Sequence, residues 1–194
     1  MTRSWATMVG LVGLMALRGS VVCEAQGATQ FGFGVMGGYT YPSGFLSGVA
    51  ESGWHAGAFL DLTAAATPIG IRLEGAWHAL GDKHLPGANG SPRVLAGTFD
   101  ATYTVLPRPA IQPYIIGGIG EYSVRSDVPT LIPCSTGFGN CTAVKTRSAF
   151  GFNAGFGVRL RADWFSAFVE ARWHDILTNG TNTQMVPISV GIRF

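Results

Sequence analysis

Apolar and polar residues alternate strictly over the last stretch of the chain, Gln184 to Phe194. Val186, Ile188, Val190, Ile192 and Phe194 are large and apolar, while Pro187, Ser189, Gly191 and Arg193 between them are small or polar. A period of two held over that length predicts a strand with one apolar face. The pattern recurs upstream. Phe31, Phe33, Val35 and Tyr39 alternate with Gly32, Gly34, Met36 and Gly38, and Trp54, Ala56, Ala58, Leu60 and Leu62 with His55, Gly57, Phe59 and Asp61. A third run sets Ile69, Ile71, Leu73 and Trp77 against Gly70, Arg72, Glu74, Ala76 and His78. A fourth sets Leu95, Phe99, Ala101, Tyr103 and Val105 against Ala96, Thr98, Asp100, Thr102 and Thr104.

The fifth run, Ile111 to Ser123, is mixed, because Ile115, Ile116 and Ile119 fall on both faces. Placing Tyr114, Ile116 and Tyr122 on the apolar face sends Glu121 to the polar one. Strand six sets Phe150, Phe152, Ala154, Phe156, Val158 and Leu160 against Gly151, Asn153, Gly155, Gly157 and Arg159. Strand seven sets Phe165, Ala167, Val169, Ala171 and Trp173 against Ser166, Phe168, Glu170, Arg172 and His174. With the terminal run the prediction is eight strands. Connections after the even strands read as short turns and those after the odd strands as longer loops. Leu80–Pro92 and Val124–Arg147, rich in Gly, Pro and Asn or Ser and Thr, are the longest of these.

Composition decides which side of the strands meets water. Charged residues are 12% of the chain, against roughly 25% in ordinary soluble domains, and Lys occurs only at 83 and 145. Past the amino terminus no run of about 18 apolar residues supplies a membrane helix. A soluble eight-stranded barrel would put its apolar face inside and charged residues outside. Here the polar face is mostly Gly, Ala, Thr and Ser with scattered charges, a set suited to filling a narrow interior, while the apolar face suits lipid. In hydrocarbon a sheet edge cannot stay unpaired, so such strands must close on themselves. Tyr39, Trp54, Trp77, Tyr103, Tyr114, Tyr122 and Trp173 stand near strand ends, where interfacial aromatic belts belong.

Residues 1–25 read as a cleaved secretory signal, with Arg3 ahead of a short apolar core from Ala6 to Leu17 and small residues near Ala25. Residues 26–194 are then a single barrel domain. Cys23 permits a lipoprotein reading, although Ser20-Val21-Val22 lacks a small residue immediately ahead of it. Cys134 and Cys141 read as one disulfide formed in an oxidising compartment, the alternative being two unpaired thiols.

On the terminal alternation and its final Phe, and on the eight-strand pattern, the chain resembles the small eight-stranded bacterial outer-membrane β-barrels of the OmpA and OmpX type. The resemblance implies an all-β, antiparallel, up-and-down transmembrane barrel in the outer membrane of a Gram-negative cell. It also implies that Val186, Ile188, Val190, Ile192 and Phe194 form the signal read by the outer-membrane assembly machinery. Membrane lipids and lipopolysaccharide are the surroundings implied for a monomeric barrel.

The inward charges expected are Asp61, Arg72, Glu74, Asp100, Glu121, Arg159, Glu170, Arg172 and Arg193. An isolated charge in a narrow, poorly hydrated interior is costly, so they are expected to pair into a network that plugs the barrel. A gated narrow pore is the alternative. Some small outer-membrane barrels modify lipids, and one such family uses a His with a Ser two residues on. Here His55, His78, His84 and His174 are followed at that spacing by Gly57, Leu80, Pro86 and Ile176. No enzymatic activity, cofactor, metal or nucleic-acid partner is expected. The role expected is structural, or binding through surface loops in adhesion or envelope integrity, with a lipid-modifying enzyme as the further alternative.

Overall fold

The computed structural model describes residues 29–48, 50–64, 67–82, 92–106, 110–130, 141–178 and 182–194. The signal segment, Cys23, His84 and Cys134 lie outside them. The strands are β1 (Thr29–Gly44), β2 (Ala50–Ala64), β3 (Ile69–Asp82), β4 (Arg93–Thr104), β5 (Ile111–Thr130), β6 (Cys141–Arg161), β7 (Ser166–Ile176) and β8 (Thr183–Arg193), joined in that order into one closed antiparallel barrel. Closure is made by β1 against β8, where Phe33 and Phe194 exchange backbone hydrogen bonds of 3.1 and 2.8 Å. No helix among the described residues is long and apolar enough to cross a membrane.

Following the pairing once around, from Gly34 through Phe59, Glu74, Thr98, Gly120, Gly151, Ile176 and Thr183, returns to β1 at Gly44. That stagger tilts the strands to the barrel axis and fixes a width that side chains can fill. Gly44 ends β1 at φ 57°, a left-handed conformation that favours glycine, and the 3-10 helix Phe45–Gly48 follows, with Ser47 Oγ donating to the Gly44 carbonyl at 2.7 Å. The first loop-side connection is therefore short, against the long loop expected there.

Strands β1 to β4 and β6 to β8 carry the expected pleat: Leu73, Phe99, Phe156 and Val190 are exposed on the outer face, and Asp61, Arg72, Asp100 and Glu170 are buried inside. Strand β5 has the opposite pleat to the one expected. Tyr114, Ile116 and Tyr122 are 2%, 4% and 0% exposed, Ile115 and Ile119 are 52% and 64% exposed, and Glu121 is on the outer face. The cause is register. Ile119 stands opposite Phe99 of β4 and Phe152 of β6, both outward, so the reversed pleat continues the apolar surface around the barrel.

The stretch expected to be irregular after Val124 is largely paired. Ser126–Thr130 of β5 matches Cys141–Lys145 of β6, beyond the points where β4 and β7 accompany them. Two aromatic bands ring the outside. Near the longer connections Trp54 and Trp77 meet edge to face at 5.0 Å and Phe152 and Trp173 at 5.6 Å, with Tyr39 alongside. Near the termini Phe194 lies 5.6 Å from Phe33 and 6.0 Å from Trp164. Tyr103 belongs to the latter band, and Tyr114 and Tyr122, expected in the bands, are interior residues.

Candidate functional site

The barrel interior is stacked in layers. At the loop end Leu46 from the 3-10 helix, Leu80, Val94, Ile176, Met185 and the ring of Tyr122 form a buried apolar cluster with Ala50 and Ala96. All but Leu46 occupy inward positions of their strands, and a second buried apolar cluster, Met36, Phe59, Ala76 and Phe168, lies on the same inward face deeper in the barrel.

Beneath lies a polar aromatic layer. Thr40 Oγ1 is 3.0 Å from His55 Nδ1 and 2.8 Å from His78 Nδ1, so the hydroxyl can donate to one ring and accept from the other. His55 Nε2 is 2.9 Å from Ser189 Oγ, and Tyr122 Oη is 2.8 Å from His174 Nδ1. The rings of His78 and His174 are 6.4 Å apart. Glu170, four residues before His174, is engaged by Arg72, Arg172 and Tyr114 instead. Among the described residues no group of three His, Cys, Asp or Glu side chains could hold a metal ion.

The middle layer holds the charges. Arg172 pairs with Glu74, with Asp100 at 3.2 Å and with Glu170 at 2.5 Å. Asn153 Nδ2 and Thr98 Oγ1 each donate to Asp100 at 2.7 Å, and Tyr114 Oη donates to Glu170 at 2.7 Å. Arg72 grips Asp61 with both prongs of its fork, at 2.8 and 3.2 Å, and reaches Glu170 at 3.2 Å. Its guanidinium carbon sits 4.1 Å from the Phe59 ring centroid and 5.4 Å from that of Phe168, a cation–π seat that suits the weakly hydrated guanidinium. Toward the termini Arg193 approaches Asp61 at 2.9 Å, and Arg159 approaches the same carboxylate at 3.8 Å. Of the inward charges expected from the sequence, the structure brings together Asp61, Arg72, Glu74, Asp100, Arg159, Glu170, Arg172 and Arg193, and leaves out Glu121.

Glycines make room for these groups. A Cβ on Gly157 would stand 2.5 Å from Tyr114 Cζ, so the phenol that reaches Glu170 can lie there only over a residue without a side chain. Sequence reasoning missed both inward tyrosines. A signal was present in the mixed isoleucines of strand five, where the opposite choice of face leaves Ile115 and Ile119 outside and gives each tyrosine a hydroxyl partner inside.

The chain matches the family model described as outer membrane protein beta-barrel domain over residues 6–194. No curated protein matches it. Among solved structures it is similar to Neisserial surface protein A, with a TM-score of 0.66 at 12% identity over 86% of this chain and 97% of that one. A major outer membrane protein from Thermus thermophilus gives 0.58 at 10% identity, covering 86% and 98% of the two chains. OprG from Pseudomonas aeruginosa gives 0.51 at 17%, covering 88% and 99%. At these identities the likeness is one of fold.

Proposed function

From the premise that this chain belongs to the outer membrane protein beta-barrel domain family, as a barrel of the bacterial outer membrane, we propose that it is a sealed, non-enzymatic anchor whose role is structural or exerted through its surface loops. The observation that carries this is the filled interior. An apolar cluster closes the loop end, and below it Arg72 and Arg172 tie β2, β3, β4 and β7 together through Asp61, Glu74, Asp100 and Glu170. Breaking a buried pair exposes an uncompensated charge, which opposes the rearrangement that conduction would need.

On this reading lipids and lipopolysaccharide surround a monomer, and the terminal strand, Val186 to Phe194, is what the assembly machinery reads. Planar-bilayer recording on the purified, folded protein tests it. The expected result is a silent bilayer, and no turnover of phospholipid or lipopolysaccharide in the same preparation. Steady conductance would select a narrow pore, and turnover a lipid-modifying enzyme.

A further inference from the structure

The interior charges cancel as a whole but are sorted along the barrel. Glu74, Asp100 and Glu170 all converge on Arg172, whereas Arg72, Arg159 and Arg193 all converge on Asp61. The end of the barrel that carries the termini therefore holds three guanidiniums around one carboxylate, and that carboxylate already accepts both prongs of Arg72. Arg161, inward on β6 and exposed, adds a further cation at the rim.

This mouth contains a cavity of about 160 Å³ lined by Arg159, Arg161, Arg193, Gln112, Thr104 and Ser166 among others. Its charged walls are all cationic and its neutral walls offer amide and hydroxyl groups. Of the three guanidiniums around Asp61, Arg159 has the weakest pairing. Its Nη2 is 3.8 Å from Asp61, beyond hydrogen-bond reach, its Nε is buried with no hydrogen-bond partner among the described residues, and the Tyr114 ring lies 5.1 Å from its guanidinium. A buried guanidinium with open donors is costly unless an acceptor meets it. The acceptors that match its planar fork are carboxylate and phosphate. At about 30 Å³ per water-sized volume, the cavity has room for one small oxyanion with a little water.

We propose that this mouth is a phosphate-binding site, open to the periplasm by the topology of the family, in which short turns and termini face that side. Arg159 and Arg193 hold the oxyanion from within and Arg161 from the rim. The phosphate is supplied either free or on the headgroup of an inner-leaflet anionic phospholipid.

The test uses the folded full-length barrel in maltoside micelles, following the Nε–Hε signals of arginine by NMR while inorganic phosphate replaces chloride at constant ionic strength. Saturable shifts of Arg159 and Arg193 are expected, weakened at least tenfold by Arg159→Gln and several-fold by Arg161→Gln. Arg161 is exposed, so its variant keeps the test alive if Arg159→Gln fails to fold. Arg93→Gln, at the opposite end, is expected to bind as the parent does. A second arm titrates a short-chain phosphatidylglycerol without free phosphate: the same shifts in this arm alone identify the headgroup as the source. No saturable shift in either arm, or a response that persists in both the Arg159 and Arg161 variants, overturns the proposal.

Discussion

Arg72 Nη1 lies 3.2 Å from Glu170 Oε2, and this contact is the one ion pair among the described residues that joins the Asp61 group of interior charges to the Arg172 group. Both side chains are 0% exposed. Arg72→Met removes the link, takes from Asp61 its two-pronged partner and from Glu170 one of its two arginines, and is expected to cost about 3–5 kcal/mol. Urea unfolding from lipid vesicles measures it. In the double variant Arg72→Met with Glu170→Gln, part of the loss is expected to return, because the Glu170 oxygen that faced Arg72 no longer carries charge. Strict additivity of the two single changes would show that the pair is not coupled.

The last residue extends the ladder that closes the barrel, in which Arg193 pairs with Gly34 and Thr183 with Gly44. Phe194 exchanges backbone hydrogen bonds with Phe33, and its ring meets those of Phe33 and Trp164. Deleting Phe194 removes both kinds of contact, whereas Phe194→Ser removes only the rings. The deletion is expected to lower the outer-membrane level more than the substitution does, and both below the parent, as read by membrane fractionation and by the mobility of unboiled against boiled protein on a gel. Parent-like levels of both variants would exclude this residue as an assembly signal.

Cys141 opens β6 opposite Thr130 of β5, at the far end of the hairpin that extends past its neighbouring strands. A disulfide from Cys134 to Cys141 is expected there. Alkylation with and without reductant, followed by intact mass, checks it: protein from the cell envelope should take up the label only after reduction. Labelling without reductant would show free thiols.

Most of the barrel was legible because each strand but one has a single consistent apolar face, so Leu73 or Phe156 leaves no choice of side. Strand β5 was not, because its face is decided by neighbours rather than by its own residues. Tyr114 and Tyr122 look interfacial in isolation, yet each spends its hydroxyl on an interior partner, Glu170 or His174. Glu121 looks interior by its charge, yet it stands outward between Gly97 and Phe150. The network was legible as a set of charges but not as a graph, since which carboxylate each arginine meets depends on the barrel's stagger. The apolar cluster at the loop end was hidden because Leu46, Leu80 and Ile176 lie in stretches read as connections.

Glu121→Leu replaces a carboxylate on the lipid-side surface and is expected to leave folding into vesicles unchanged or make it more favourable. Glu170→Leu, which strands Arg72 and Arg172, is expected to be strongly destabilising by the same measurement. Comparable losses in the two variants would place Glu121 inside.

Central to the whole account is that the apolar face meets lipid and the charges interlock within. Leu73 and Phe156, 49% and 68% exposed on the outside, lie between the aromatic bands, while Gln112 stands in the interior mouth opposite Arg159. The most direct measurement is equilibrium folding into phosphatidylcholine vesicles of Leu73→Arg, Phe156→Arg and Gln112→Glu beside the parent. The two arginine variants are predicted to lose about 2–4 kcal/mol, the depth-dependent cost of a lipid-facing cation, and Gln112→Glu to lose nothing because it adds a carboxylate among cations. Equal losses in all three, or a loss confined to Gln112→Glu, would contradict the assignment of inside and outside.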